Sequence, residues 1–203
     1  MDAKLSHKEK TRIRILDEAA SAIQVNGSER IGVADVMKRA GLTHGGFYAH
    51  FSSRDDLVAH AIDRMFRHSD AMIRGHRDGA DPGESLVMLV DYYLSDEVRK
   101  TTDHVCPLPG LAGEARHMPH AARDRFNRGV QDFRTAIAAV LRALGKEEPE
   151  MLAISVLAEM VGAMALARAA HDDRQGSEIL QASRLSLRQR LGLVGMQPVS
   201  PTI

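Results

Sequence analysis

Helix-breaking residues divide this chain into segments of helical length, and no segment alternates in the manner of a strand. Proline occurs at positions 82, 107, 109, 119, 149, 198 and 201, and glycines cluster near several of these positions. Between the breakers, apolar residues recur at spacings of three and four, which is the period of an amphipathic helix. The sequence therefore predicts an all-α protein.

The size and composition are those of a folded protein. The 203 residues, 44% of them hydrophobic and 27% charged, suit one small and one medium domain. The basic first residues are not followed by an apolar stretch, so the pattern of a secretory signal is missing. The most apolar region, residues 152–167, contains Ser155 and Glu159, and we expect it not to span a membrane. These features, with a single cysteine that cannot form an internal disulfide, predict a cytoplasmic protein.

Two short helical patterns joined by a turn lie within residues 33–51. The first pattern covers residues 33–40, and the second begins at Thr43, whose hydroxyl can cap it. Gly41 stands between them, where the turn requires a left-handed backbone. Helices in this arrangement form a helix-turn-helix, which presents its second helix to the major groove of DNA. The residues expected to close a small core here are Ile13, Leu16, Ala20, Val36, Leu42, Phe47 and Phe51.

This stretch resembles the signature of TetR-family repressors. Residues 43–51, THGGFYAHF, follow the family's order of a small hydroxyl residue, a polar residue, glycine, a small residue, an apolar residue, tyrosine, two further positions and phenylalanine. Residues 53–57, SRDDL, are similar to the family's opening of the next helix, with arginine in place of lysine.

The resemblance implies two domains. The first would be an N-terminal three-helix helix-turn-helix DNA-binding domain, which we place at residues 1–54. The second would be a C-terminal helical ligand-binding and dimerisation domain at residues 55–194, with a flexible tail at residues 195–203. Residues 1–54 contain nine Lys and Arg against six Asp and Glu, while the remainder contains 18 against 21. This asymmetry suits a basic DNA-facing head, although a solvated helix face produces it equally well.

The resemblance also implies which side chains meet DNA. Tyr48, His50 and Arg54 would contact phosphates, while the residues that open the second helix would lie nearest to base edges. The two adjacent glycines offer no side chains for reading bases, so close backbone approach and DNA shape would contribute. The expected DNA-binding residues are Lys38, Thr43, His44, Gly45, Gly46, Tyr48, His50 and Arg54. A core tyrosine, surface histidines and a solvated Lys38 are the alternatives.

In the remaining chain the resemblance is an order of helices without a diagnostic motif. It implies that helices near residues 149–171 and 177–192 form a homodimer, which would bind a roughly palindromic operator in double-stranded DNA. Small residues such as Ala158 and Gly162 would let helices approach closely. The apolar contacts and the stripe on the last helix would come from Leu157, Met160, Val161, Met164, Ile179, Leu180, Ser183, Leu187 and Leu191.

A pocket for a small ligand is also implied. The candidate lining residues are Met65, Phe66, Leu89, Tyr92, Tyr93, Cys106, Phe126, Val130, Phe133, Met160 and Met164. Ordinary core packing is the alternative for each of them. Cys106 precedes Pro107, which predicts a position at or just before a helix N-terminus, where a thiolate is favoured. A similar Cys-Pro-Leu occurs in one branch of these regulators, so the signal is expected to be a small apolar or electrophilic molecule; a buried, inert Cys106 is the alternative.

Two other functions remain open on the sequence alone. An enzyme could use Cys106 with His104, or a metal held by His117 and His120, but His-x-x-His supplies only two ligands. A helical adaptor could use the helix-turn-helix for protein contacts. The resemblance favours a ligand-responsive repressor that is not an enzyme and needs no cofactor or metal.

Overall fold

The computed structural model of the protein describes residues 6–75, 81–101 and 106–196. Within these ranges the chain forms helices and turns and contains no strand, which confirms the predicted all-α fold. The helices are α1 (His7–Asn26), α2 (Val33–Arg39), a 3₁₀ helix (His44–Ala49), α3 (Arg54–Gly75), α4 (Pro82–Tyr93), α5 (Asp96–Lys100), α6 (Leu108–Leu111), a 3₁₀ turn (Ala115–His117), α7 (His120–Ala143), α8 (Pro149–Arg168) and α9 (Asp173–Arg190).

The chain divides into two compact units. The first unit comprises residues 1–68 and 102–129, and the second comprises residues 69–101 and 130–203. Helices α3 and α7 each contribute residues to both units. The functional boundary placed at residue 54 stays a prediction, and residues 197–203 of the expected tail lie outside the described residues.

Hydrogen bonds from nearby side chains set the start of α3. The Ser53 hydroxyl accepts a bond from the Asp56 N–H at 3.0 Å, which is the first half of the predicted capping box. The Asp56 carboxylate accepts from the Ser52 N–H, also at 3.0 Å, one residue earlier than the usual pattern. Because these bonds hold residues 52–56, α3 starts at a fixed distance from the helix-turn-helix before it.

Helix α8 forms the core of the second unit. Ala153, Val156 and Met160 are completely buried, and α8 packs against α4, α5 and α9. The Arg168 guanidinium donates to the Val98 carbonyl at 3.0 Å, which attaches the end of α8 to α5. By length and composition α8 is long and apolar enough to cross a membrane, but one such helix among the described residues is weak evidence for a membrane span. Its burial against neighbouring helices identifies it as a core helix of this unit.

The interior of the second unit corrects the predicted surface stripe. Leu180, Leu187 and Leu191 are each at most 2% exposed within a single protomer. They pack against other helices of the same protomer, so they cannot form an apolar surface for a second copy. The same holds for Leu157, Met160 and Met164 on α8. Helix α8 is apolar on every side, so its sequence gives no signal for which side faces inward. Helix α9 has one apolar side, and its leucines pack into the interior of the same protomer.

Candidate nucleic-acid interface

The helix-turn-helix has the predicted order but a tighter second helix. Gly41 adopts the left-handed conformation with φ of 69°, as its place in the turn requires. The following residues form a 3₁₀ helix at His44–Ala49, here named the recognition helix. The expected cap by the Thr43 hydroxyl is wrong, because the Gly46 N–H donates instead to the Thr43 main-chain carbonyl at 3.1 Å. Two adjacent glycines weaken α-helical propensity here, and short 3₁₀ segments accommodate such a stretch.

Aromatic residues anchor the recognition helix while leaving one ring in solvent. Phe47 and Phe51 are 1% and 2% exposed, and their ring centroids lie 5.7 Å apart. Tyr48 packs edge-on against Phe47 at 5.2 Å, yet it is 71% exposed. Tyr48 is therefore a surface residue whose base is held by the core, as a phosphate-contacting phenol would need to be.

Arg12 fixes the end of the recognition helix from α1. Its guanidinium lies 4.2 Å above the Phe51 ring and donates a hydrogen bond to the His50 carbonyl. A cation over an aromatic face is attracted by the ring's quadrupole. No sequence pattern singles out Arg12, because its partners lie 38 and 39 residues away along the chain.

The His50 side chain is half-buried beside a basic cluster. Burial, followed by the charges of Lys8 and Arg12, holds the pKa of His50 below its ordinary value. Within the described residues its buried Nδ1 has no hydrogen-bond partner. The imidazole is thus neutral in the free protein at neutral pH, and a phosphate beside it would favour its protonation. Its contact with DNA stays a prediction.

Arg54 holds the loop between α1 and α2. Its Nη2 donates to the carbonyls of Ser28 at 2.7 Å and Glu29 at 2.8 Å, and its Nε donates to the Ile31 carbonyl at 3.1 Å. The remaining nitrogen lies 3.4 Å from the Asp55 carboxylate. Through these bonds Arg54 fixes the α1–α2 loop to the start of α3. Sequence spacing does not reveal this role. The phosphate contact expected of it stays a prediction.

The other expected DNA-binding residues surround Tyr48. Lys38, Thr43, His44 and Gly45 are exposed. A Cβ atom built on Gly45 would meet nothing within 4 Å, whereas one on Gly46 would lie 3.7 Å from the Met37 Cε. The recognition helix therefore has an open side at Gly45, where another backbone can approach, and a packed side towards α2.

The expected ligand-lining residues fall in both units and include buried members. Met65, Phe66, Cys106 and Phe126 belong to the first unit, and Leu89, Tyr92, Tyr93, Val130, Phe133, Met160 and Met164 belong to the second. In the first unit Phe66 and Phe126 meet edge to face at 5.8 Å. In the second unit Tyr93 and Phe133 lie 6.1 Å apart. Such contacts are those of packed interiors, and the ligand role of these residues stays a prediction.

Cys106 directly precedes Pro107, which caps the short helix α6, so its expected position before a helix is confirmed. The cysteine is 7% exposed. A separate cavity of about 480 Å³ lies within the first unit, between residues 23–30 at the end of α1 and residues 110–117. None of the expected ligand-lining residues contributes to this cavity.

The histidines considered for metal binding have other partners. The His117 Nε2 accepts from Arg116 at 2.8 Å, and the His120 Nδ1 lies 2.9 Å from the Asp124 carboxylate. No group of three potential metal ligands occurs in the part of the chain that the structure describes. His104, considered as a partner for Cys106, lies outside the described residues.

Comparison with known proteins agrees with this geometry. Residues 15–61 match the model of the family described as bacterial regulatory proteins, tetR family. These residues include most of α1, all of α2, the recognition helix and the start of α3. The HTH-type transcriptional regulator YvdT of Bacillus subtilis (strain 168), itself uncharacterized, is 30% identical over 101 residues, or 49% of this chain. The match covers 52% of that protein, so the chain spans about half the length of this curated relative.

Solved structures extend the likeness of fold to nearly the whole chain. A TetR-family transcriptional regulator from Agrobacterium tumefaciens has a TM-score of 0.77 at 22% identity, covering 91% of this chain and 98% of that one. A TetR-family regulator from Cytophaga hutchinsonii has a TM-score of 0.78 at 18% identity, covering 98% of this chain and 100% of that one. The helix-turn-helix therefore matches the tetR family in sequence, and the helical body has the fold of TetR-family transcriptional regulators of known structure.

Proposed function

We propose that this regulator is a repressor that binds a roughly palindromic DNA operator as a homodimer and is released by a small apolar or electrophilic ligand. The observation that carries the DNA-binding role is the exposure of Tyr48 between two buried phenylalanines. A tyrosine in that position has its ring fixed and its hydroxyl accessible, so it can donate to a phosphate oxygen at little cost in conformational entropy.

Basic residues beside the recognition helix support the same role. Lys8 and Lys38 are exposed, and the influence of Lys8 on the His50 pKa places this charge close to the end of the recognition helix. Phosphate contacts supply much of the affinity for DNA and make it fall with rising salt. The open side at Gly45 would let the recognition helix approach the duplex closely.

Exposed apolar residues on α8 and α9 support the proposed homodimer. Met151, Ile154 and Leu166 on α8 and Leu185 on α9 are between 43% and 64% exposed in one protomer. Around Gly162 a Cβ atom would meet nothing within 4 Å, so a second helix has room to approach. A two-fold pairing of these helices would cover the apolar side chains, and it would place two recognition helices on one palindromic site.

Release by a ligand follows from linkage if the ligand favours a conformation that binds DNA poorly. Ligand and operator must then weaken each other's binding by the same factor. The expected pocket residues and Cys106 are the candidates for the sensing site. Cys106→Ser tests whether reaction of this cysteine with an electrophile releases the protein from DNA. The variant should bind DNA with unchanged affinity and should no longer be released by N-ethylmaleimide.

The decisive experiment measures fluorescence anisotropy of a labelled duplex that spans the DNA upstream of the protein's own gene. We expect saturable binding that is tighter than binding to a shuffled duplex and that weakens as salt rises. Tyr48→Ala should raise Kd about tenfold, whereas Val25→Ala, at an exposed apolar residue on α1, should not. Equal binding to both duplexes would contradict an operator. A reporter gene placed behind the same DNA should be expressed more strongly when the protein is absent.

A further inference from the structure

The loop between α1 and α2 is held from two sides within the first unit. From one side Arg54 binds three of its main-chain carbonyls, including that of Ser28 at 2.7 Å. From the other side Glu114, in the segment between α6 and α7, accepts hydrogen bonds from both the N–H and the hydroxyl of Ser28, each at 2.9 Å. Ser28 therefore links a carboxylate 86 residues away to the arginine that opens α3.

The loop is shaped to admit this carboxylate. Ser28 is 2% exposed, so its polar groups need partners inside the protein, and bonds to a charged acceptor are stronger than neutral ones. Gly27 has φ of 82°, and a Cβ atom at this position would overlap the Glu114 Oε1. A side chain at position 27 would both strain the backbone and displace Glu114.

We infer that Glu114 is a positioning residue for DNA binding, acting through Ser28 and Arg54 on the recognition helix. By fixing Ser28, Glu114 holds a carbonyl that Arg54 needs. Arg54 is the first residue of α3, directly after the turn that follows the recognition helix. The segment that contains Glu114 is thereby connected to the first residue of α3 by two consecutive hydrogen-bonded contacts, from Glu114 to Ser28 and from Ser28 to Arg54. This inference goes beyond the proposed function and rests on its DNA-binding part.

Electrostatics alone predicts the opposite sign for a substitution at this position. Removing a negative charge from a unit that binds a polyanion should tighten binding, whatever the position of the charge. If Glu114 positions the loop, Glu114→Gln should instead weaken binding. Asp124→Asn is the matched control, because Asp124 is an exposed acid on α7 in the same unit and, among the described residues, pairs with the nearby His120 at 2.9 Å.

The test compares Kd values by anisotropy on the labelled upstream duplex at fixed salt, well below the melting temperature of each variant. Stoichiometric titration first gives the active fraction, so partial unfolding does not enter Kd. We expect about a threefold weakening for Glu114→Gln, which keeps one acceptor oxygen, and about tenfold for Glu114→Ala. Asp124→Asn should bind as tightly as the unmodified protein or more tightly. Unchanged or tighter binding by Glu114→Gln would overturn the inference.

A double-mutant cycle shows whether Glu114 acts through Ser28. Ser28→Ala should weaken binding about threefold, and the double variant should bind no more weakly than Glu114→Ala, because both changes break the same contact. Additive effects, about thirtyfold in the double variant, would overturn the route through Ser28. If the unmodified protein binds neither duplex, the proposed function fails as well. If the unmodified protein binds the upstream duplex and the Glu114 and Ser28 variants bind it as tightly as Asp124→Asn does, this inference fails and the proposed function stands.

Discussion

The recognition helix and helix α8 expose surfaces of opposite character. The recognition helix is six residues long, contains two adjacent glycines and is held by side chains from outside itself. Its exposed side chains include the phenol of Tyr48 and the imidazole of His44. Helix α8 is 20 residues long and apolar almost throughout. It shows solvent Met151, Ile154 and Leu166.

The difference shows what each surface can bind. Polar tips on fixed aromatic bases suit a hydrated polyanion, because they replace water by hydrogen bonds to phosphate. Exposed apolar side chains on a rigid helix gain most from burial against another apolar surface, at about 25 cal/mol per Å². Changes in the recognition helix, or in Arg12 and Arg54, should therefore alter DNA binding. Changes on the outer side of α8 should instead alter dimerisation.

The largest effect is expected from Leu166→Glu on α8. Leu166 is 64% exposed in one protomer, so the change should leave each protomer folded. In a two-fold dimer it would bury two unpaired carboxylates, and the dimer dissociation constant should rise a hundredfold or more, by roughly 3 kcal/mol. Sedimentation velocity across a concentration series measures this shift. Val194→Glu is the matched control, since Val194 is also exposed in the second unit but lies beyond α9. Equal dissociation by both variants would remove α8 from the interface.

A smaller effect is expected from Arg54→Lys, which keeps the charge and removes the planar fork. A lysine cannot reach three carbonyls in the geometry that Arg54 uses. We expect the melting temperature to fall and Kd for DNA to rise about thirtyfold, with little change in the slope of log Kd against log salt. If Arg54 serves chiefly as a phosphate contact, lysine should substitute well. Near-normal affinity of Arg54→Lys would therefore favour the phosphate role over the fixing of the α1–α2 loop.

These two regions also mark how far the sequence alone could lead. The helix-turn-helix, the left-handed Gly41 and the first half of the Ser53 capping box were predictable, because each depends on neighbours within a few residues. The hydrogen bonds of Arg12, Arg54 and Glu114 could not be predicted, because their partners lie 23 to 86 residues away along the chain.

Helix α8 was predictable as a helix, but its outward side was not. Its apolar residues surround the whole axis, so periodicity does not distinguish the buried Met160 from the exposed Leu166. The 3₁₀ form of the recognition helix was likewise missed, because six residues are too few to show whether the period is 3.0 or 3.6.

Tyr48→Phe should have a modest effect that separates the hydroxyl from the ring. The ring contact with Phe47 is retained, so the melting temperature should not change. Loss of one phosphate bond should raise Kd for DNA about fivefold. Anisotropy on the upstream and shuffled duplexes should show a similar loss on both, because a phosphate contact carries no base information. Loss confined to the upstream duplex would assign Tyr48 to base reading instead.

The smallest effect is expected from pH, and it should have opposite signs in the two units. Burial, with nearby cationic side chains, holds the pKa of His50 and His60 in the first unit below their ordinary value of 6.5. The unfolded state then binds protons more readily than the folded state, so this contribution destabilises the first unit as pH falls through 6.5. The lowered pKa of Asp56 acts only below its ordinary value of 3.8. In the second unit, burial raises the pKa of Asp91, which adds stability as pH falls and loses it as pH rises.

Helices α8 and α9 contain no histidine, so acidification should act mainly on the first unit. Amide hydrogen exchange, corrected for its intrinsic pH dependence, should show lower protection in α1 and the start of α3 at pH 5.5 than at pH 7. Protection in α8 and α9 should be unchanged or higher. His60→Gln should reduce the change in the first unit, because one of the two responsible protonations is then absent. An equal loss of protection in both units would contradict this assignment.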